Sequence, residues 1–202
     1  MIVIVDSQIG NTGSVANALS ALGKESIVSS NPDDIKLASH IILPGVGSFG
    51  VAMQNLKTAG LIEPLRRAVT EEKKPFLGIC LGMQLLATRG EEGGTHEGLG
   101  LIPGITRRFN VDESKLRVPH IGWNDVVPVA NSRLCKGIKN PIFYFLHSYN
   151  LVPKDESVIA GTTDYGEQFV SIIEKENIFG VQFHPEKSQH AGLALLENFL
   201  RI

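Results

Sequence analysis

The chain has 202 residues, 43% of them hydrophobic and 20% charged, with a formal net charge of -2 and two cysteines, Cys80 and Cys135. Such a length fits one unit able to bury its own core, and residues 1–202 are read as a single domain. The near-balanced charge gives no electrostatic reason to expect nucleic acid or an anionic membrane surface as a partner. Two cysteines in unlike settings make no disulfide framework, and the short apolar N-terminus has neither a basic leader pattern nor a spanning segment, so a cytoplasmic setting is expected.

Ile2 to Val5 is a continuous run of β-branched residues, the pattern of a strand buried on both faces of a parallel sheet. Val15, Ala18, Leu19 and Leu22 recur at helical spacing, with Ser14 as N-cap and Gly23 as the stop. Ser26 to Ser29 reads as a second strand, and Asn31-Pro32-Asp33-Asp34 as the capped start of a short helix. Ile41-Ile42-Leu43 is a third strand, ended by Pro44; a helical region broken near Gly60 then runs to Lys74, and Phe76 to Ile79 is the next apolar run. Strands alternating with helices predict a parallel sheet covered on both faces, with ligands at its carboxyl edge.

From Gly98 onward the pattern changes to short runs rich in β-branched and aromatic residues: Ile105 to Phe109, Asp125 to Val129, Ile142 to Phe145, Tyr149 to Val152, Val158 to Thr162, Phe169 to Ile173 and Ile178 to Phe183. Turn clusters separate them, which predicts antiparallel strands. A final helix is expected with Ser188 as N-cap and Leu193, Leu196, Phe199 and Leu200 toward the core. The predicted class is therefore α/β, a mixed sheet that is parallel in its N-terminal part and antiparallel in its C-terminal half.

The chemistry concentrates at Pro75-Phe76-Leu77-Gly78-Ile79-Cys80-Leu81-Gly82-Met83-Gln84. Gly78-x-Cys80-x-Gly82 has the spacing of a nucleophile elbow with sulfur in place of a hydroxyl. A sharp strand-to-helix turn exposes the side chain, the glycines remove Cβ atoms that would clash in the turn or obstruct a substrate, and the helix start offers free N–H groups to a thiolate and an oxyanion. The most suitable base is His184, which closes the apolar run Ile178 to Phe183 and is followed by Pro185 and Glu186. Two residues on, Glu186 is placed to accept from the far imidazole nitrogen and fix its tautomer.

Gly45-Val46-Gly47-Ser48-Phe49-Gly50 matches the dinucleotide fingerprint G-x-G-x-x-G, but it follows the third strand rather than the first. Glu63, at the spacing of the ribose-binding carboxylate, falls in a helical stretch. The loop is better read as backbone N–H groups brought close to a ligand, with a dinucleotide-binding module as the competing reading.

Gly78-Ile79-Cys80-Leu81-Gly82-Met83-Gln84 together with Gln182-Phe183-His184-Pro185-Glu186 resembles the class I glutamine amidotransferases. Pro44-Gly45-Val46-Gly47, His120-Ile121-Gly122-Trp123-Asn124, Phe145-Leu146-His147-Ser148-Tyr149 and Glu186-Lys187-Ser188 narrow the likeness to the glutaminase subunits of imidazole glycerol phosphate synthase. The resemblance implies a flavodoxin-like mixed sheet, Cys80 as nucleophile, His184 as base and Glu186 as orienting carboxylate. It also implies an oxyanion hole from the backbone of Leu81 and of the Val46-Gly47 loop, and a glutamine site of Gly47, Gln84, Glu92, Ser148 and Tyr149, with Glu91 adjoining Glu92 as the ambiguity. His147 reads as a hydrogen-bonded histidine at a strand end. Trp123, Asn124 and Lys187 are implied at the interface with a (β/α)8-barrel cyclase, which would use the ammonia to convert the formimino ribulotide PRFAR into imidazole glycerol phosphate and the carboxamide ribotide AICAR. No cofactor or metal is expected. Another class I glutaminase, or a γ-glutamyl hydrolase, is the alternative within the fold.

Overall fold

The computed structural model describes residues 1–202. In chain order its first half comprises β1 (Ile2–Val5), α1 (Thr12–Ala21), β2 (Ser26–Ser29), α2 (Pro32–Leu37), β3 (His40–Gly45), α3 (Phe49–Thr58), α4 (Ile62–Thr70), β4 (Phe76–Cys80) and α5 (Leu81–Gln84). There follow β5 (Ala87–Gly90), β6 (His96–Glu97), β7 (Ile102–Arg108), β8 (His120–Asp125), β9 (Val127–Pro128), β10 (Ile142–His147), β11 (Tyr149–Pro153), β12 (Ile159–Asp164), β13 (Gln168–Lys175), β14 (Ile178–Val181) and α6 (Gln189–Phe199).

Eight strands form the main sheet in the order β2-β1-β3-β4-β14-β13-β12-β9. From β2 to β14 the neighbours are parallel, and from β14 to β9 they are antiparallel. The sheet has a core on each face because each buried strand alternates its side chains between them. Val3, Val5, Ile41 and Leu43 meet the residues of α2, α3 and α4 on one face. Ile2, Ile4, Ile42 and Leu77 meet Val15 and Leu19 of α1 and Leu195, Leu196 and Phe199 of α6 on the other. The continuous apolar runs are explained by this two-sided burial.

Several boundaries differ from the sequence expectation. Asn11, not Ser14, precedes α1, so Ser14 lies inside the helix. Strand β3 continues through Pro44 to Gly45, which carries the glycine loop to the register of Cys80. The last strand, β14, is antiparallel to β13 but parallel to β4, so it belongs to both halves of the sheet. This pairing puts the segment leading to His184 beside the strand that ends at Cys80.

Two small sheets lie outside the main one. β8 pairs with β10, and β11-β7-β5-β6 forms the other, in which β5 and β7 are parallel. No helix is long and apolar enough to cross a membrane.

Candidate active site

Cys80 ends β4 with φ 53° and ψ -110°, a left-handed backbone that is rare for a residue with a side chain and marks a strained turn. Of the two purposes read for the glycines in the sequence, the contacts show the relief of a clash in the turn. A Cβ on Gly82 would lie 1.8 Å from the Leu43 carbonyl oxygen, and one on Gly78 would lie 2.5 Å from the Gly82 carbonyl oxygen. They therefore let the backbone of α5 rest directly on β3 and β4, rather than clearing a path for substrate. The helix itself is a single turn of 4 residues, so its dipole is small. What it provides is the Leu81 N–H, which at the first helical position has no intrahelical acceptor.

The base and its carboxylate meet as expected. His184 Nδ1 lies 2.9 Å from Glu186 Oε1, with both side chains almost wholly buried. Asn11 Nδ2 donates to the same carboxylate oxygen at 3.2 Å, so the loop after β1 helps hold Glu186. The other imidazole nitrogen, Nε2, is buried and has no hydrogen-bond partner. Burial works to lower the His184 pKa, but the neighbouring Cys80 and then Glu186 outweigh it and raise it to about 10. The direction of that shift favours the protonated imidazole.

A cavity of about 240 Å³ opens over Cys80 and is lined by Val46, Gly47, Leu81, Gln84, Glu92, Pro119, Leu146, His147, Ser148 and Tyr149 as well. Every residue expected to hold the substrate thus borders one space, below the size typical of drug-like ligands and suited to a single amino acid. Glu91 and Glu92 lie in different surroundings. Glu92 borders the cavity and accepts the Phe49 N–H at 2.8 Å, whereas Glu91 lies 3.6 Å from Arg89 on the surface. Glu92 also answers the dinucleotide reading. It places a carboxylate on the first turn of α3, where a pyrophosphate would have to sit.

The loop residues expected to hold an oxyanion, Val46 and Gly47, differ in their backbone bonds. The Val46 N–H donates to the Ile9 carbonyl at 2.9 Å, so it is committed elsewhere. The Gly47 N–H has no such bond, and Gly47 has φ 98°, a conformation that glycine adopts without strain.

The three expected interface residues divide between two faces of β8. Trp123 is 49% exposed and stacks edge-on against Tyr144 of β10, and the exposed Lys187 reaches over the same Tyr144 ring. Asn124 points the other way, donating to the Asp164 carbonyl at 2.9 Å and lying 3.3 Å from His120 Nε2. Its side chain is thus turned inward, as strand alternation requires beside an outward Trp123.

The inward face holds groups that sequence reasoning left without a role. His120 Nδ1 lies 3.2 Å from His147 Nε2, and His147 Nδ1 lies 2.9 Å from the Tyr149 carbonyl. That carbonyl can only accept, so His147 carries its proton on Nδ1, and its Nε2 accepts a hydrogen bond from the Nδ1–H of His120. Burial lowers the His120 pKa to about 4; for His147, burial and then the neighbouring imidazoles of His120 and His184 lower it to about 3, although its bond to Tyr149 works the other way. Gln182 was also overlooked. It is fully buried and bridges Gln84 and Cys80. Its signal was visible as the single polar residue in the run Ile178 to Phe183.

Known proteins resemble the chain over its whole length. The family model described as glutamine amidotransferase class-I matches residues 3–202. An imidazole glycerol phosphate synthase subunit HisH 1 of Campylobacter jejuni (strain RM1221) is 49% identical, over 100% of both chains. The corresponding HisH of Aquifex aeolicus (strain VF5) is 48% identical, with 98% of this chain and 95% of that one covered. Among solved structures, a glutamine amidotransferase superimposes with a TM-score of 0.76 at 19% identity, covering 100% of this chain and 98% of the other, which supports the fold alone. PurLQS from Thermotoga maritima gives 0.74 at 20% identity, with 99% and 97% covered. The chain belongs to the class I glutamine amidotransferases and, within them, to the HisH subunits of imidazole glycerol phosphate synthase.

Proposed function

We propose that this chain is the glutaminase of an imidazole glycerol phosphate synthase, acting in the cytoplasm as a single unit. It hydrolyses glutamine to glutamate and ammonia and passes the ammonia to a (β/α)8-barrel cyclase, which converts PRFAR into imidazole glycerol phosphate and AICAR. The observation that carries this reading is the convergence of Cys80, Gln84, Glu92, Ser148 and Tyr149 on one small cavity, with the His184–Glu186 pair next to Cys80.

The chemistry follows from the groups present. The Cys80 thiolate attacks the side-chain amide carbon of glutamine, and the carbonyl π electrons move onto oxygen. The Leu81 and Gly47 N–H groups stabilise that oxyanion, each such donor being worth roughly 2.7–4 kcal/mol. Collapse breaks the C–N bond as His184 gives its proton to the departing ammonia. Neutral His184 then removes a proton from water, hydroxide attacks the thioester, and glutamate leaves as Cys80 regains its electron pair. Glu92 offers a negative partner to the substrate ammonium group, and Gln84, Ser148 and Tyr149 offer polar contacts to its backbone end.

The cyclase docks on the β8–β10 ribbon, where Ile121, Trp123, Ile142 and Leu146 are large apolar side chains open to solvent. Such a concentration on one small sheet is what an unoccupied protein interface looks like. Leu146 also borders the cavity over Cys80, so this face adjoins the point at which ammonia is released. A free-standing γ-glutamyl hydrolase would have no need to expose it.

The test is glutamine hydrolysis and PRFAR turnover measured with and without the cyclase, in wild type and Cys80→Ser. Cys80→Ser should lose glutamine-dependent synthesis and keep synthesis from added ammonia. Loss of both would mean that Cys80 serves assembly, and full glutaminase activity without the cyclase would favour the free-standing hydrolase.

A further inference from the structure

We propose that Gln182 is a further catalytic residue, one whose carboxamide N–H holds the ionised sulfur of Cys80. The proposal deepens the glutaminase reading and rests on Cys80 being its nucleophile.

Gln182 follows the end of β14 and is fully buried, so its amide must find partners inside the protein. Its Nε2 lies 3.7 Å from Cys80 Sγ, within reach of an N–H···S bond, and its Oε1 lies 3.2 Å from Gln84 Nε2. Which end of the amide faces the sulfur follows from a backbone group. The Tyr149 carbonyl, 2.8 Å from Gln84, can only accept, so Gln84 presents its NH2 group there. The same NH2 group faces Gln182, which must answer with oxygen, and the Gln182 NH2 group is left for Cys80.

The other contact of the sulfur works in the opposite sense. Cys80 Sγ lies 3.7 Å from the Leu146 carbonyl oxygen, which accepts from a thiol but repels a thiolate. Of these two contacts, only the one with Gln182 becomes stronger when the proton leaves. A helix dipole cannot take its place, because α5 has 4 residues. Gln182 therefore accompanies His184 in favouring the reactive form of the nucleophile, and through Gln84 it ties that form to a residue bordering the substrate cavity. The titratable groups around Cys80 are His184 and Glu186 beyond β14, His147 and Tyr149 of β10 and β11, and Glu92 after β5.

The test is the pH dependence of Cys80 alkylation by iodoacetamide in the full chain, followed at Cys80 by peptide mass spectrometry. It needs no glutamine, so its outcome is separate from the identity of the substrate. Gln182→Met removes the donor; Gln182→Glu keeps the acceptor for Gln84 and sets a carboxylate against the sulfur. Loss of one hydrogen bond to a charged group predicts a midpoint higher by about one pH unit in Gln182→Met, with a larger rise in Gln182→Glu. Profiles that superimpose on wild type would overturn the proposal, even if both variants hydrolysed glutamine poorly. Should neither variant fold, the side-chain amide signal of Gln182 in the wild-type NMR spectrum decides. It should move as Cys80 is alkylated or ionised, and an unmoved signal would overturn the proposal equally.

Discussion

At the scale of single residues, the site depends on where one proton resides. The His184 pKa, raised to about 10 in the folded chain, exceeds its ordinary value of 6.5 because Cys80 and Glu186 outweigh burial. A group raised on folding contributes stability that is fully present below its unfolded pKa and is lost as pH rises through the folded one. Thermal unfolding of the wild type should therefore show stability falling from about pH 6.5 to 10. Glu186→Gln should flatten that fall, because the carboxylate that holds the charged imidazole is gone. It should also lower kcat by roughly two to four orders of magnitude, as expected when an orienting carboxylate becomes an amide that can stabilise the wrong tautomer. A Glu186→Gln chain with wild-type kcat would mean that Asn11 and the buried turn suffice to orient His184.

At the scale of elements, the elbow is a contact between backbones. Gly82→Ala puts a methyl group onto the Leu43 carbonyl, which belongs to a central strand and has nowhere to go. The variant should lose about 3 kcal/mol or more of stability in chemical denaturation, at the upper end of overpacking costs, and lose glutaminase activity with it. Gly13 of α1 is the control: nothing lies within 4 Å of its would-be Cβ, and Gly13→Ala should stabilise the chain by about 0.5–1 kcal/mol. The strands of the main sheet and the helical stretches of α1, α3 with α4, and α6 were legible in the sequence, since two-sided burial leaves continuous apolar runs and helix spacing leaves periodic ones. Cys80, His184 and Glu186 were legible for a related reason, standing where those runs stop. β8 was not read as a strand. Its inward positions carry His120 and Asn124 while Ile121 and Trp123 face solvent, which inverts the usual pattern of apolar inside and polar outside. Gln182 went unassigned because sequence spacing cannot say which buried polar group meets the sulfur, and β5 and β6 because runs of 4 and 2 residues made of Ala87-Thr88-Arg89-Gly90 and His96-Glu97 carry no apolar alternation.

At the scale of the whole molecule, the resting chain holds back part of its own machinery. The Val46 N–H is given to Ile9 in the loop after β1, and Leu146, whose carbonyl faces the sulfur, sits on the ribbon proposed to meet the cyclase. Docking on that ribbon can therefore act on the sulfur directly, whereas releasing Val46 requires the loop after β1 to shift. Together these contacts predict slow glutamine hydrolysis by the isolated chain and acceleration by the cyclase with its ligand bound. Acceleration should be accompanied by faster amide hydrogen exchange at Val46, because the Ile9 bond must open for that N–H to turn toward the cavity. Unchanged exchange at Val46 alongside full stimulation would mean that Gly47 and Leu81 alone complete the hole. Trp123→Ala tests the docking face separately. A tryptophan at the centre of an interface is worth about 2 kcal/mol or more, so the variant should need roughly thirtyfold more cyclase for half-maximal synthesis and recover the full rate at saturation. A lower rate at saturation would instead assign Trp123 to the ammonia path or the switch itself, and an unchanged requirement for cyclase would move the interface off the β8–β10 ribbon.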